Sequence, residues 1–182
     1  MERLTTGMAV KAIRMGVLAG VLLAACAGGS DGLDALHADI ASDYPGVTHV
    51  STREVAAMND VVLLDIREPD EFAVSRLPGA VQVGLGEEPD AVLSRLPDLK
   101  GRHVVAYCSV GRRSSIFAER MEAALREAGA ASVSNMQGGV FRWHGDKRPL
   151  VDDGGATDAV HPYDEVWKRY VVRKEGAAYA PE

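Results

Sequence analysis

The sequence contains little cysteine, few aromatic residues and no excess of positive charge. Its 182 residues include two cysteines and 5% aromatic residues, with 26 acidic side chains against 20 basic ones. Two cysteines form at most one disulfide, and no Cys/His spacing is typical of zinc, which excludes a disulfide-stabilised scaffold and a zinc-binding module. A net charge of −6 lacks the basic face that phosphate binding requires, so we expect no nucleic-acid partner.

The N-terminal apolar run is too short to span a membrane comfortably, but it has the pattern of an export signal. Arg3, Lys11 and Arg14 precede residues 15–25, which are all apolar or glycine. A spanning helix needs roughly 20 apolar residues. Positive charge followed by a short apolar run is typical of a secretory signal peptide.

The run ends in Leu23-Ala24-Ala25-Cys26, which resembles the bacterial lipobox. In that motif a peptidase cleaves before the cysteine, which then carries the lipid. The resemblance implies a lipoprotein signal peptide at 1–25, a lipidated Cys26 and a cell-envelope protein on the periplasmic side. Ala27 follows the cysteine where an aspartate would indicate retention in the inner membrane, so we expect the outer membrane if the source is diderm. Residues 26–46, small, polar and acidic after the cysteine, are interpreted as a flexible tether to the membrane. A plain signal peptide cut after Ala25 and an uncleaved anchor are the alternatives.

From Val47 onward, short β-branched runs alternate with helical patterns, which predicts an α/β fold with helices on both faces of a small parallel sheet. The length suits one domain with appendages. Five strands are predicted, at 47–50, 61–66, 81–83, 103–107 and 132–135.

Helix boundaries are indicated by caps, prolines and apolar periodicity. Ser51 and Glu54 have the spacing of a capping box, and proline suits the first turn of a helix. The predicted helices run from the capping box to Met58, from Pro69, from Pro89, from Ser114 to Gly129, and over Tyr163–Val171 within a C-terminal extension at 151–182.

Cys108 lies where the fourth predicted strand meets the longest predicted helix. Backbone N–H groups and the positive end of the helix dipole favour a thiolate at such a position. Gly111 lets the loop curl so that its N–H groups converge, and Arg112 and Arg113 add positive charge. The pattern predicts a nucleophilic cysteine for an anionic sulfur substrate, with a buried cysteine that only fills space as the alternative.

The chain resembles a rhodanese domain, the sulfurtransferase module, over about residues 47–150. The matching motifs are LDIREPDEF at 64–72, LPGA at 77–80, CSVGRRS at 108–114 and GGVFRW at 138–143. The resemblance implies the rhodanese-like fold and a Cys108 that takes sulfur from thiosulfate or a similar small anionic donor. It also implies a persulfide that passes sulfur to a thiophilic acceptor, cyanide or a thiol, without cofactor or metal.

The same resemblance implies roles for the loop. The N–H groups of Ser109, Val110, Gly111, Arg112 and Arg113 would surround the persulfide, and the Arg113 side chain would orient the donor. A persulfide carrier or sulfur-relay module in the cell envelope, without turnover of its own, is the alternative function.

Loop length separates this reading from a phosphatase. Four residues lie between Cys108 and Arg113, whereas cysteine-dependent phosphatases have five. In the rhodanese-like superfamily the shorter loop accompanies sulfur, because a tetrahedral oxyanion needs a wider ring of amides. Arsenate reduction through a cysteine relay is disfavoured as well, since the domain sequence offers no second thiol.

Asp65 and Arg67 end the second predicted strand, at the edge where parallel sheets bind ligands. Either Asp65 shapes the site together with Arg67, or the two form a structural ion pair or cap for the following turn. Arg67 and Glu71, four residues apart, are a further candidate pair. The Gly138-Gly139 pair predicts a close backbone approach beside the loop.

Overall fold

The computed structural model describes residues 29–181. The predicted signal peptide and the lipidation site Cys26 lie outside these residues. Within them, no helix is long and apolar enough to cross a membrane.

A five-stranded, wholly parallel sheet forms the centre of the domain, as predicted. Its strands are β1 (Thr48–Val50), β2 (Val61–Asp65), β3 (Val81–Gln82), β4 (His103–Tyr107) and β5 (Ser132–Met136), in the order β1-β5-β4-β2-β3. The central strand β4 is buried from Val104 to Tyr107, as expected for a strand covered on both faces. The carboxyl end of β4 leads directly into Cys108.

Helices cover both faces of the sheet. They are α1 (Gly29–Asp43), α2 (Thr52–Ala57), α3 (Pro69–Val74), α4 (Pro89–Leu93), α5 (Arg112–Glu127) and α6 (Gly139–Gly145). Side chains of α4 and α5 pack into one apolar cluster, and those of α1, α2 and α6 into another. The capping box at Ser51 and Glu54 is present, and Pro69 and Pro89 occupy first turns.

The predicted flexible tether is wrong over most of its length, because α1 occupies residues 29–43 of it. Leu33 and Ile40 are 1% and 0% exposed and pack into the same cluster as α6. Burial of these two side chains against the domain stabilises the helix.

The prediction of a C-terminal α-helix is also wrong, because the segment forms other secondary structure. The chain from Leu150 onward forms a two-stranded antiparallel hairpin, β6 (Leu150–Val151) with β7 (Ala156–Thr157), and two short 3₁₀ helices, Trp167–Tyr170 and Lys174–Gly176. Tyr163 adopts φ +71, which is incompatible with an α-helix. The segment is held instead by Val160 and Val171, both fully buried.

Candidate active site

Cys108 sits between the end of β4 and the start of α5, with 1% of its surface exposed. The backbone N–H of Gly111 donates to Cys108 Sγ at 3.2 Å. Gly111 caps α5 with φ +108, a left-handed conformation that favours glycine. The sulfur therefore lies at the N-terminus of a 16-residue helix, where negative charge is stabilised.

The loop backbone is held by α6, beginning at the Gly138-Gly139 pair. Val140 and Phe141 donate their N–H groups to the carbonyl oxygens of Cys108 and Ser109, at 2.8 and 3.1 Å. A Cβ on Gly139 would collide with the Cys108 carbonyl. The predicted close approach is confirmed, and it keeps these two carbonyls engaged with α6.

Arg113 is clamped by Glu71, a buried residue of α3. Its guanidinium donates to both carboxylate oxygens of Glu71, at 2.7 and 2.9 Å, and to Ser109 Oγ at 3.0 Å. Ser109 Oγ in turn donates to Glu71 at 2.7 Å. Glu71 was not predicted as a site residue; the only signal for it is an acidic residue within the motif at 64–72.

Arg113 and Glu71 each shift the pKa of the other in the direction that favours its charged form. Burial alone would lower the pKa of Arg113, but its bonds to Glu71 and the nearby charges of Cys108 and Glu71 raise that pKa above its ordinary value. Burial would raise the pKa of Glu71, yet the hydrogen bond and charge of Arg113 hold it below its ordinary value. The pair therefore remains ionised at neutral pH.

Arg112 also has a carboxylate partner. Its guanidinium lies 3.0 Å from Asp43, at the end of α1, in a pair that is exposed on both sides. Exposed pairs of this kind contribute little to stability. The two arginines predicted as fixed positive charge are thus both partnered by carboxylates, one in a buried clamp and one at the surface.

Asp65 and Arg67 form a fully buried ion pair outside the pocket. Arg67 donates to the two oxygens of Asp65 at 2.9 and 2.6 Å and to the Ser75 carbonyl at 2.5 Å. Of the two alternatives that the sequence left open for Asp65 and Arg67, the structure shows the structural ion pair. The alternative pairing of Arg67 with Glu71 is wrong, because Glu71 is engaged with Arg113.

A pocket of about 220 Å³ opens over the sulfur. It is lined by Cys108, Ser109, Val110, Arg112, Arg113, Ile116, Tyr163 and Trp167. Tyr163 and Trp167 come from the C-terminal extension and were predicted only as positions of a helix. Nothing in their local sequence indicates the pocket, because their approach depends on chain folding. Among residues 29–181 no group of three or more His, Cys, Asp or Glu side chains could hold a metal ion.

The chain was compared with known protein families, curated proteins and solved structures. The family model of the rhodanese-like domain matches residues 51–146 of this chain. A sulfurtransferase of Allochromatium vinosum is 35% identical over 104 residues, covering 57% of this chain and 91% of that protein. A tRNA uridine(34) hydroxylase of Cytophaga hutchinsonii is 33% identical over 100 residues, 52% of this chain but only 31% of the hydroxylase. The solved thiosulfate sulfurtransferase of Pseudomonas aeruginosa is 21% identical with a TM-score of 0.48, covering 66% of this chain and 23% of that one.

Proposed function

Because the chain belongs to the rhodanese-like domain family, we propose that it is a sulfurtransferase in which Cys108 carries sulfur as a persulfide. The observation that carries the proposal is the contact between the Gly111 N–H and Cys108 Sγ, 3.2 Å, at the start of α5. A hydrogen-bond donor and a helix N-terminus directed at a cysteine stabilise the anionic sulfur needed for attack.

The first half-reaction takes sulfur from thiosulfate. The Cys108 thiolate attacks the outer sulfur, a new S–S bond forms, the bond to the sulfonate sulfur breaks, and sulfite leaves with the electron pair. Arg113, fixed by Glu71, attracts and orients the anionic donor. The persulfide anion formed on Cys108 occupies the pocket beside the loop amides.

The second half-reaction returns the enzyme to its starting state. Cyanide or a thiolate attacks the terminal sulfur of the persulfide, and the Cys108 thiolate leaves. Two half-reactions through one covalent intermediate predict ping-pong kinetics. Among the described residues, Cys108 is the free cysteine, which suits a cycle with a single thiol.

The test is intact-mass analysis of the full chain after incubation with thiosulfate. We expect an adduct of about 32 Da, one sulfur atom, on Cys108 in the wild type and none in Cys108→Ser. A folded wild type that acquires no adduct would contradict the persulfide mechanism.

A carrier without turnover of its own is the competing candidate. It is favoured by the burial of Cys108, 1% exposed, which limits access of free acceptors. Steady-state turnover with thiosulfate and cyanide distinguishes the two: repeated cycles indicate the enzyme, whereas one sulfur released per chain indicates the carrier.

We also propose that the protein is exported and held at the membrane by lipid on Cys26. The support is the charged and apolar pattern of residues 1–25 followed by the lipobox-like Leu23-Ala24-Ala25-Cys26. Sulfur transfer would then take place on the periplasmic side of the envelope.

A further inference from the structure

Part of the lining of the Cys108 pocket comes from outside the rhodanese-like match. Tyr163 and Trp167 line the pocket together with Val110 and Ile116, yet the family model ends at residue 146. The C-terminal extension therefore completes the space in which sulfur transfer takes place.

We infer that Tyr163 and Trp167 determine donor specificity, and that the pocket favours an anionic sulfur donor carrying an apolar group over one that lacks it. The class is R–SO₂–S⁻ or R–S–S⁻ with an apolar R. This inference rests on the proposed sulfurtransferase function and specifies its substrate class.

The chemistry of the lining supports this choice. Four of the lining side chains are apolar or aromatic, namely Val110, Ile116, Tyr163 and Trp167, and two, Arg112 and Arg113, are positively charged. An inorganic donor engages the charged groups of the lining alone. An apolar substituent also displaces water from the apolar and aromatic side chains and gains hydrophobic contact with them.

The size of the pocket agrees with a larger ligand. The pocket has a volume of about 220 Å³. Thiosulfate has only five heavy atoms, so it leaves part of the cavity unfilled. A donor with an apolar group of a few carbon atoms fills that part.

Tyr163 is placed next to the anion-binding group. The Arg113 guanidinium lies 5.1 Å from the centroid of the Tyr163 ring, within the range of a cation–π contact. Glu71 holds the same guanidinium by two hydrogen bonds. A substituent on a donor bound at Arg113 therefore meets Tyr163 directly.

The backbone at Tyr163 is strained, and neighbouring groups hold it in place. Its φ of +71 lies in the left-handed region, which is uncommon for a bulky residue. The Tyr163 N–H donates to Nδ1 of the buried His161 at 3.0 Å, and the Trp167 N–H to Asp164 Oδ1 at 2.9 Å. Strained residues held in this way concentrate at functional sites.

The transfer step is balanced for this donor class. The Cys108 thiolate attacks the outer sulfur of R–SO₂–S⁻, the S–S bond to Cys108 forms, and the bond to the sulfonyl sulfur breaks. The sulfinate R–SO₂⁻ leaves with the electron pair. With R–S–S⁻, the same attack on the terminal sulfur breaks the S–S bond of the donor, and the thiolate R–S⁻ leaves with the electron pair. The total charge is unchanged and no oxidant or reductant is consumed.

The experiment measures single-turnover loading of Cys108 by mass, without acceptor, with benzenethiosulfonate, methanethiosulfonate and thiosulfate. The readout is the ratio of the loading rate constants for the phenyl and methyl donors. The inherent reactivities of the two donors are the same for every variant, so a change in the ratio reports on the pocket. We expect Tyr163→Gly and Trp167→Ala each to reduce the phenyl-to-methyl ratio of the wild type about tenfold.

Val166→Ala is the matched control. Val166 lies in the same segment, is 61% exposed and does not line the pocket, so its ratio should equal that of the wild type. Tyr163→Gly removes the ring, and glycine adopts the left-handed backbone conformation without strain. We therefore expect this variant to retain the thermal midpoint of the wild type. A lower phenyl-to-methyl ratio in this variant then reports on the loss of the ring.

The outcomes separate the two proposals. Loading by thiosulfate with a ratio unchanged in Tyr163→Gly and Trp167→Ala overturns the specificity inference and leaves the sulfurtransferase standing. A ratio that rises in either variant overturns it as well. A folded wild type that no donor loads overturns the proposed function and the inference with it.

Discussion

Glu71 is the residue that fixes the position of Arg113 in the proposed anion site. It accepts two hydrogen bonds from Arg113 and one from Ser109 while only 1% exposed. An arginine held at both nitrogens presents its remaining donors in a fixed direction. Glu71 is accordingly a positioning residue that acts through Arg113.

Replacing Glu71 by Gln tests this role. Removing the charge leaves Arg113 with a weaker partner, and we expect a loss of about 1–3 kcal/mol in the free energy of unfolding at pH 7, since hydrogen bonds to charged groups are worth about that much. The measurement is urea denaturation. Asp43→Asn is the control: it weakens the exposed pair with Arg112 and should cost less than about 1 kcal/mol.

The pH dependence of stability in wild type and Glu71→Gln tests whether Glu71 is ionised in the folded protein. The pKa of Glu71 in the folded protein lies below its ordinary value of 4.5. Its contribution to stability is therefore fully present above pH 4.5 and is lost as the pH falls through the folded pKa. The difference between wild type and Glu71→Gln should shrink below pH 4.5; a difference that stays constant into acid would contradict the ionised clamp.

At the scale of elements, α1 and the C-terminal extension complete the fold although both lie outside the matched residues 51–146. Ile40 of α1 and Val171 of the extension are fully buried in the same apolar cluster. The helix α1 also contacts the 3₁₀ helix that carries Trp167. An element that would otherwise act as a linker thus supports one wall of the pocket.

Ile40→Ala distinguishes a packed helix from a tether. Ile40 is 0% exposed, and truncating a buried Ile to Ala costs about 2–5 kcal/mol. We expect a loss of that order in the free energy of unfolding, measured by urea denaturation. Ser42→Ala, at an exposed position of the same helix, should change stability by less than about 0.5 kcal/mol. Equal stability of the two variants would indicate that α1 does not pack on the domain.

For the whole molecule, the position of α1 limits the distance between the domain and a lipid on Cys26. Only two residues, Ala27 and Gly28, separate Cys26 from the first residue of α1. An extended chain spans at most about 3.6 Å per residue. A lipid on Cys26 would therefore hold the domain close to the membrane surface.

Expression of the full chain with a labelled fatty acid in a bacterium that makes lipoproteins tests the anchor. We expect Cys26→Ser to lose the label and leave the membrane fraction, because cysteine is the residue that carries the lipid in the lipobox. Cys108→Ser should keep the label and the membrane location. Label that persists in Cys26→Ser would contradict lipidation at this position.

The sequence alone determined the elements that depend on neighbouring residues. Alternating β-branched runs predicted the five strands, the capping box at Ser51 predicted the start of α2, and the step from β4 through Gly111 to α5 located the cysteine loop. These predictions succeed because strand burial, helix capping and loop curvature follow from residues within a few positions of one another.

Only the tertiary structure decided which groups surround the sulfur. Arg113 meets Glu71 across 42 positions of sequence, and Tyr163 reaches Arg113 from beyond the matched domain. The helix α1 forms where the composition suggested a tether, because Leu33 and Ile40 pack into an apolar cluster of the domain. Charge pairing and burial act over a few ångströms in space, and here they join groups that are far apart along the sequence. Patterns among neighbouring residues therefore do not predict which of these groups meet.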